Sequence, residues 1–237
     1  MYVIVTPTGP YFRGGTKPIS LLAVSESVRS WPGGTGGHKL GLNYAPGFSP
    51  QRIAAKQGYD QILWLLGDDQ RVTEVGAMNF FLVAHRDDGG TSTSAFPPDK
   101  HTNQKLLIDL DIITPPLDGT ILPGLTRDST LTLANAHTSG KLLLPDIPAS
   151  QKLHTHERIL TMSEITTLSA QGKILESFGV GTAVVVAPVG RIGHDGKDLL
   201  LPVHEAGLGP VGKAILTVIT DIQTGRRQFE NWSVLCE

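Results

Sequence analysis

The chain has 237 residues, 40% of them hydrophobic and 18% charged, enough to bury the core of one large domain or two small ones. Its 20 basic and 22 acidic side chains leave a net charge of −2, which excludes nucleic-acid binding through overall basicity. The single cysteine, Cys236, excludes an internal disulfide framework and a cysteine-built zinc site, and no run of ~18 apolar residues reads as a membrane span.

Residues 2–6 are aromatic and β-branched and predict a strand, without the basic flank of a secretory signal. A Gly-rich connector covers 11–17, and 21–24 form a second apolar run. A short helix is expected with Ser49 as cap, Pro50 in its first turn and Gly58 as its stop. Strands are expected at 61–66, 71–73 and 79–83, with a turn at 67–69. Residues 86–103 are polar and read as a surface loop, with strand-like sequence resuming at Leu106. Helices are expected over 125–137, stopped by Gly140, and over 163–178. The run 182–189 reads as a strand, and 199–201 pairs with it across the 193–196 turn. A last helix covers 210–223, and a terminal strand 232–235. Short mixed strands with about four helices and no βαβ rhythm indicate an α+β fold.

The glycine cluster 33–37 fails as a phosphate loop, because His38 separates Gly37 from Lys39 and Leu40 follows. From the glycines alone it reads as a flexible loop with a surface lysine. Lys39 has a second reading. A lysine amine can form a Schiff base with pyridoxal phosphate when a carboxylate, a hydroxyl and an anion cup support it. Glu74 supplies a candidate carboxylate for a pyridinium nitrogen, although most glutamates are solvated. Tyr44 supplies a hydroxyl, or is simply a packing tyrosine. The helix start at Pro123, Gly124, Leu125 and Thr126 offers free amides and a hydroxyl to an anion, or is ordinary capping. Thr182 and Ala183 add a further hydroxyl and amides.

In this order the residues carry a resemblance. The blocks GGTGGHKLGLNYAP, KQGYDQILWLLGDDQRVTEVGAMNFFLV, TPPLDGTILPGLTRDSTLTLA, ERILTMSEI, FGVGTAVVVAPV and TDIQTGRRQFENWSVL resemble the branched-chain amino-acid aminotransferases, in fold-type IV of the pyridoxal-phosphate enzymes. The resemblance implies a D-amino-acid aminotransferase-like large domain, a mixed sheet or pseudo-barrel flanked by helices, over residues 18–237. Residues 1–17 would be the last strand of a smaller domain and its connector. It implies pyridoxal 5′-phosphate as cofactor and Lys39 as the Schiff-base and proton-transfer residue. Glu74 would meet the pyridine nitrogen and Tyr44 the phenolic oxygen. Leu125, Thr126 and Thr182 would hold the phosphate. Ala183 would help hold the substrate carboxylate, and Ala77 and Tyr11 would line the substrate pocket. The implied reaction passes an amino group between leucine, isoleucine or valine and 2-oxoglutarate. The family is homodimeric, its partners are a small amino acid and a 2-oxo acid, and neither nucleic acid nor membrane is expected. The implied compartment is intracellular, cytoplasmic or mitochondrial.

This sequence departs from the pattern in several places. Ala77 stands where a threonine is usual, and Val184 and Ala187 stand where mammalian members carry a Cys-x-x-Cys pair. Most of the small domain, with its phosphate-binding arginine, has no counterpart, and Arg13 is not a replacement. The alternative reading is therefore an impaired or inactive domain that at most binds the cofactor or associates with a full-length relative. His154, Thr155, His156 and Glu157 read as a polar loop rather than a metal site, Arg226 and Arg227 as a helix-end pair, and Cys236 as a tail thiol.

Overall fold

The computed structural model describes residues 2–7, 9, 17–86, 109–205 and 207–234. Apolar and β-branched runs between turn residues form nine strands among them. These are β1 (Ile19–Val24), β2 (Gln61–Leu66), β3 (Arg71–Val75), β4 (Met78–His85), β5 (Leu110–Thr114), β6 (Leu153–Glu157), β7 (Ile174–Gly181), β8 (Val185–His194) and β9 (Lys197–Leu200). Four helices flank them: α1 (Phe48–Lys56), α2 (Leu125–Ser139), α3 (Met162–Ala170) and α4 (Pro210–Gln223).

The lateral order is β3-β2-β1-β8-β7-β4-β5-β6, with β9 on β8. β3 also pairs with β4, so six strands close into a ring. β1 lies parallel to β2 and β8, and the other ring pairings are antiparallel. The seam of the ring is short: Glu74 faces Asn79 and Val75 faces Met78. From Leu82 onward β4 pairs with β5 on that side. The result is the α+β pseudo-barrel expected from the sequence.

Strand alternation sorts the core into two layers. Phe81 and Val83 pack with Leu133, Ile215 and Val218 of α2 and α4. Phe80 and Leu82 pack with Leu21, Leu63, Leu65 and Ile192. Both faces of β4 are thus covered, which explains its nearly unbroken apolar sequence. A third cluster, Ala54, Ile62 and Trp64, lies under α1.

Several elements differ from expectation. Residues 2–7 form no strand, and Tyr2, Val3, Ile4 and Val5 are exposed, because no described strand pairs with them. α1 begins at Phe48, directly after a 3-10 turn (Ala45–Gly47), so Ser49 sits inside the helix and caps nothing. The helix expected over 163–178 stops at Ala170, and its second half is β7, paired antiparallel with β4. Tertiary pairing there overrides a helix-compatible sequence. Thr182 lies in the turn before β8, outside the strand. Residues 154–157 belong to β6 instead of a loop; His154 reaches Asp109 at 3.0 Å and His156 reaches Asp111 at 2.8 Å. Residues 232–234 form no strand; Trp232 packs edge-on against Phe229. Most of the 86–103 loop, Leu106 and Cys236 lie outside the described residues.

Candidate active site

Lys39 lies on the connection between β1 and α1, which is held in place by side chains. Asn43, itself buried, donates to the carbonyls of Thr35 and His38, both at 2.8 Å. Arg29 donates to the carbonyls of Gly36 at 3.3 Å and Thr120 at 3.2 Å. Gly36 packs so closely that a Cβ there would stand 2.5 Å from the Thr120 carbonyl oxygen. Gly34 and Gly36 thus serve close backbone packing.

The Lys39 side chain is exposed, and its Nζ sits 4.9 Å from the Tyr44 ring centroid. The Arg29 guanidinium lies 5.7 Å from the same ring. The Tyr44 hydroxyl is buried and has no hydrogen-bond partner among the described residues. A buried orphan hydroxyl is costly unless a ligand satisfies it.

Glu74 sits on β3 at the seam, 2% exposed. One carboxylate oxygen meets Arg29 Nε at 2.8 Å, and the other accepts the Leu122 amide at 2.8 Å. Arg29 is equally buried, so this is a desolvated ion pair. Burial raises the Glu74 carboxyl to about 7, against the lowering pull of Arg29, the Leu122 amide and Lys39. The folded chain therefore binds this proton more tightly than the unfolded chain does. The stability it contributes is full below the ordinary glutamate value and is lost as pH rises through about 7. Melting temperatures of the cofactor-free chain and of Glu74→Gln, measured across pH, should show it. The wild-type-minus-variant difference is expected to fall between about pH 4.5 and 7.

The chain then runs from Leu122 through Gly124 into α2. Gly124 is the N-cap and no side chain caps the helix, so the amides of Leu125 and Thr126 lack intrahelical acceptors. The Leu125 side chain is exposed and Thr126 is half-buried. Thr182 and Ala183 are exposed in the β7–β8 turn. That turn lies at the same end of the sheet, since Val180 pairs with Asn79 and Met78 underlies Gly181. Val185 closes it at φ 58, a strained conformation for a β-branched residue. Ala77 is exposed and lines a cavity of about 150 Å³ with Tyr44, Asn43, Phe48 and Trp64. Tyr11 lies outside the described residues.

The residues present fit a phosphorylated pyridine. An amine, an orphan hydroxyl and a buried carboxylate converge, and the carboxylate is tied to a helix start with free amides.

A family model for amino-transferase class IV matches residues 2–192. The chain belongs to the class IV aminotransferases. The mitochondrial branched-chain-amino-acid aminotransferase of Saccharomyces cerevisiae is 42% identical over 98% of this chain and 52% of the relative. The cytosolic enzyme of the same yeast is 40% identical over 98% of this chain and 55% of the relative. The PLP-form of the Thermobaculum terrenum branched-chain amino acid aminotransferase superposes with a TM-score of 0.55 at 20% identity, covering 89% of this chain and 52% of that one. The chain thus spans about half the length of the curated relatives it matches.

Of the residues expected in this class IV site, Lys39, Tyr44 and Glu74 stand together. Leu125 and Thr126 connect to them through the Leu122–Glu74 bond, and Thr182 and Ala183 occupy the neighbouring turn. Two further members were not read from the sequence. Arg29, ten residues before Lys39, carries no local signal of its partnership with Glu74. Asn79 looks like any polar residue in an apolar strand; only that polarity sets it apart. Among the described residues no group of histidine, cysteine, aspartate or glutamate is arranged to hold a metal ion, and no helix is long and apolar enough to cross a membrane.

Proposed function

We propose that this chain binds pyridoxal 5′-phosphate at Lys39 and transfers amino groups between leucine, isoleucine or valine and 2-oxoglutarate. The observation that carries the proposal is the buried hydroxyl of Tyr44, unpartnered among the described residues, on a ring that lies near both Lys39 and the Glu74-paired Arg29. When bound, the cofactor supplies an aldehyde that captures amines and a ring that accepts the electron pair left at the substrate Cα. Lys39 would hold the cofactor covalently, and its Nζ, when free, would take the substrate Cα proton and return it. Glu74, charged when the cofactor nitrogen brings a proton, orients the ring, and Arg29 offsets the burial of that charge. The Tyr44 hydroxyl donates to the phenolic oxygen. Thr126, the Leu125 and Thr126 amides and Thr182 hold the phosphate, with the helix dipole favouring the anion. The Ala183 amide receives the substrate carboxylate, and Ala77 lines the side-chain pocket. Residues 18–237 form the cofactor-binding unit in this reading, and 1–17 its connector. As in the family, the working form is a homodimer, in cytosol or mitochondrion.

The exposure of Tyr2, Val3, Ile4 and Val5 at 76–87% favours a second reading. There this chain holds the cofactor but turns over only alongside another polypeptide that covers this apolar segment. One experiment separates the two. The chain is mixed with pyridoxal 5′-phosphate, reduced with borohydride, and mapped by mass. An adduct is expected on Lys39, lost in Lys39→Ala and kept in Lys56→Ala. Absence of any adduct overturns the cofactor assignment. An adduct without turnover of leucine and 2-oxoglutarate selects the second reading.

A further inference from the structure

Asn79 lies on β4 directly opposite Glu74 in the two-rung seam that closes the strand ring. It is 5% exposed, and a polar side chain at such burial needs a partner. Its partner is a residue that Glu74 also grips. Glu74 accepts from the Leu122 N–H at 2.8 Å, and Asn79 Nδ2 donates to the Leu122 carbonyl at 2.9 Å. One residue is thus held on both sides by two cross-strand neighbours. The hold extends two residues further. At Gly124 a Cβ would stand 2.2 Å from Asn79 Oδ1, so only glycine lets the chain pass this close. Gly124 is the N-cap of α2, whose next two amides are those of Leu125 and Thr126.

We propose that Asn79 is a positioning residue that fixes the start of α2 relative to Glu74, and so sets the span between the phosphate end and the ring end of the cofactor site. This rests on the cofactor reading above. Asn79 touches neither end in this arrangement; it acts through Leu122 and Gly124. Losing it frees the helix start while leaving Lys39, Tyr44 and Glu74 in place.

The test compares pyridoxal 5′-phosphate with pyridoxal, which lacks the phosphate, on the full chain with Asn79→Ala and Asn79→Asp. Asn79→Asp keeps the side-chain volume and removes the Nδ2 donor. Both variants are expected to weaken pyridoxal 5′-phosphate about tenfold, the factor carried by one lost buried hydrogen bond, and to leave pyridoxal within about twofold. A general loss of packing would weaken both ligands alike, and that result overturns the proposal. So does an Asn79→Asp protein that keeps the wild-type ratio. Hydrogen exchange without ligand supplies a second reading. The Leu122 and Gly124 amides should exchange faster in Asn79→Ala while the β4–β7 amides stay protected. Unchanged exchange at Leu122 and Gly124 also overturns it. If the wild-type chain binds neither ligand, the cofactor reading fails, and the exchange arm still decides the role of Asn79.

Discussion

Glu74→Ala is expected to cost about 3–5 kcal/mol of stability, because it strands the Arg29 guanidinium in the interior without its partner. It also leaves the partly buried Leu122 amide without its acceptor. Glu74→Gln keeps an acceptor for that amide and a neutral partner for Arg29, so its cost should be well below that of alanine. Denaturant melts of the cofactor-free proteins check that glutamine lies above alanine, and that wild type keeps its stability against glutamine best near pH 4.5, where Glu74 holds its proton. An alanine variant as stable as wild type would show that the pair is dispensable to the fold. On the proposed reading, the alanine variant that still folds should bind the cofactor more weakly, since nothing then faces the ring nitrogen.

Lys39→Ala is expected to act on chemistry and leave the fold alone. Its side chain is exposed and lies over the Tyr44 ring, so the melting temperature should move little. Removing the base that moves the Cα proton lowers the half-reaction rate by about 10²–10⁴-fold, before the loss of covalent capture is counted. Single-turnover spectra with leucine read this directly. Lys39→Arg keeps the charge near Tyr44 without an amine that captures aldehydes, so it should fail as alanine does. An arginine variant with full turnover would remove Lys39 from the mechanism.

The sequence announced its elements unevenly. α2 was legible because Gly140 stops it and Leu125 opens it after Pro123 and Gly124. The β8–β9 hairpin was legible from its turn, and α4 from Pro210 in its first turn. β7 was missed because residues 174–178 carry no turn residue after Gly172, and only the pairing with β4 decides their state. Residues 2–6 have strand composition, yet composition cannot supply a pairing edge. Ser49 looked like a cap because the 3-10 turn before it leaves no mark in sequence.

The site divided along the same line. Lys39, Tyr44, Glu74 and Thr126 stand out as candidates in the sequence because each sits in a block whose order carries the family resemblance. Arg29 and Asn79 matter through partners far along the chain: Glu74 for the first, Leu122 for the second. Burial creates their significance, since an ion pair or an amide bond of this kind is of little account on the surface. A departure such as Ala77 is visible in the sequence, but only the cavity beside Tyr44 shows what it borders.

The closed ring has a consequence for how the protein comes to be. Leu21 pairs with Ile192, and Ser20 with Arg191, so the first strand of the ring completes its pairing only when β8 is available. Contacts of such long sequence separation give a high contact order, and chains of that topology fold slowly. Lys39 and Glu74 lie between these two strands in the chain, while the β7–β8 turn belongs to the closing pair. The pocket around Lys39, Tyr44 and Glu74, the cofactor site in the proposed reading, is therefore a late product of folding. A newly made chain cannot use the ligand as an early template, and added cofactor should slow unfolding far more than it speeds folding.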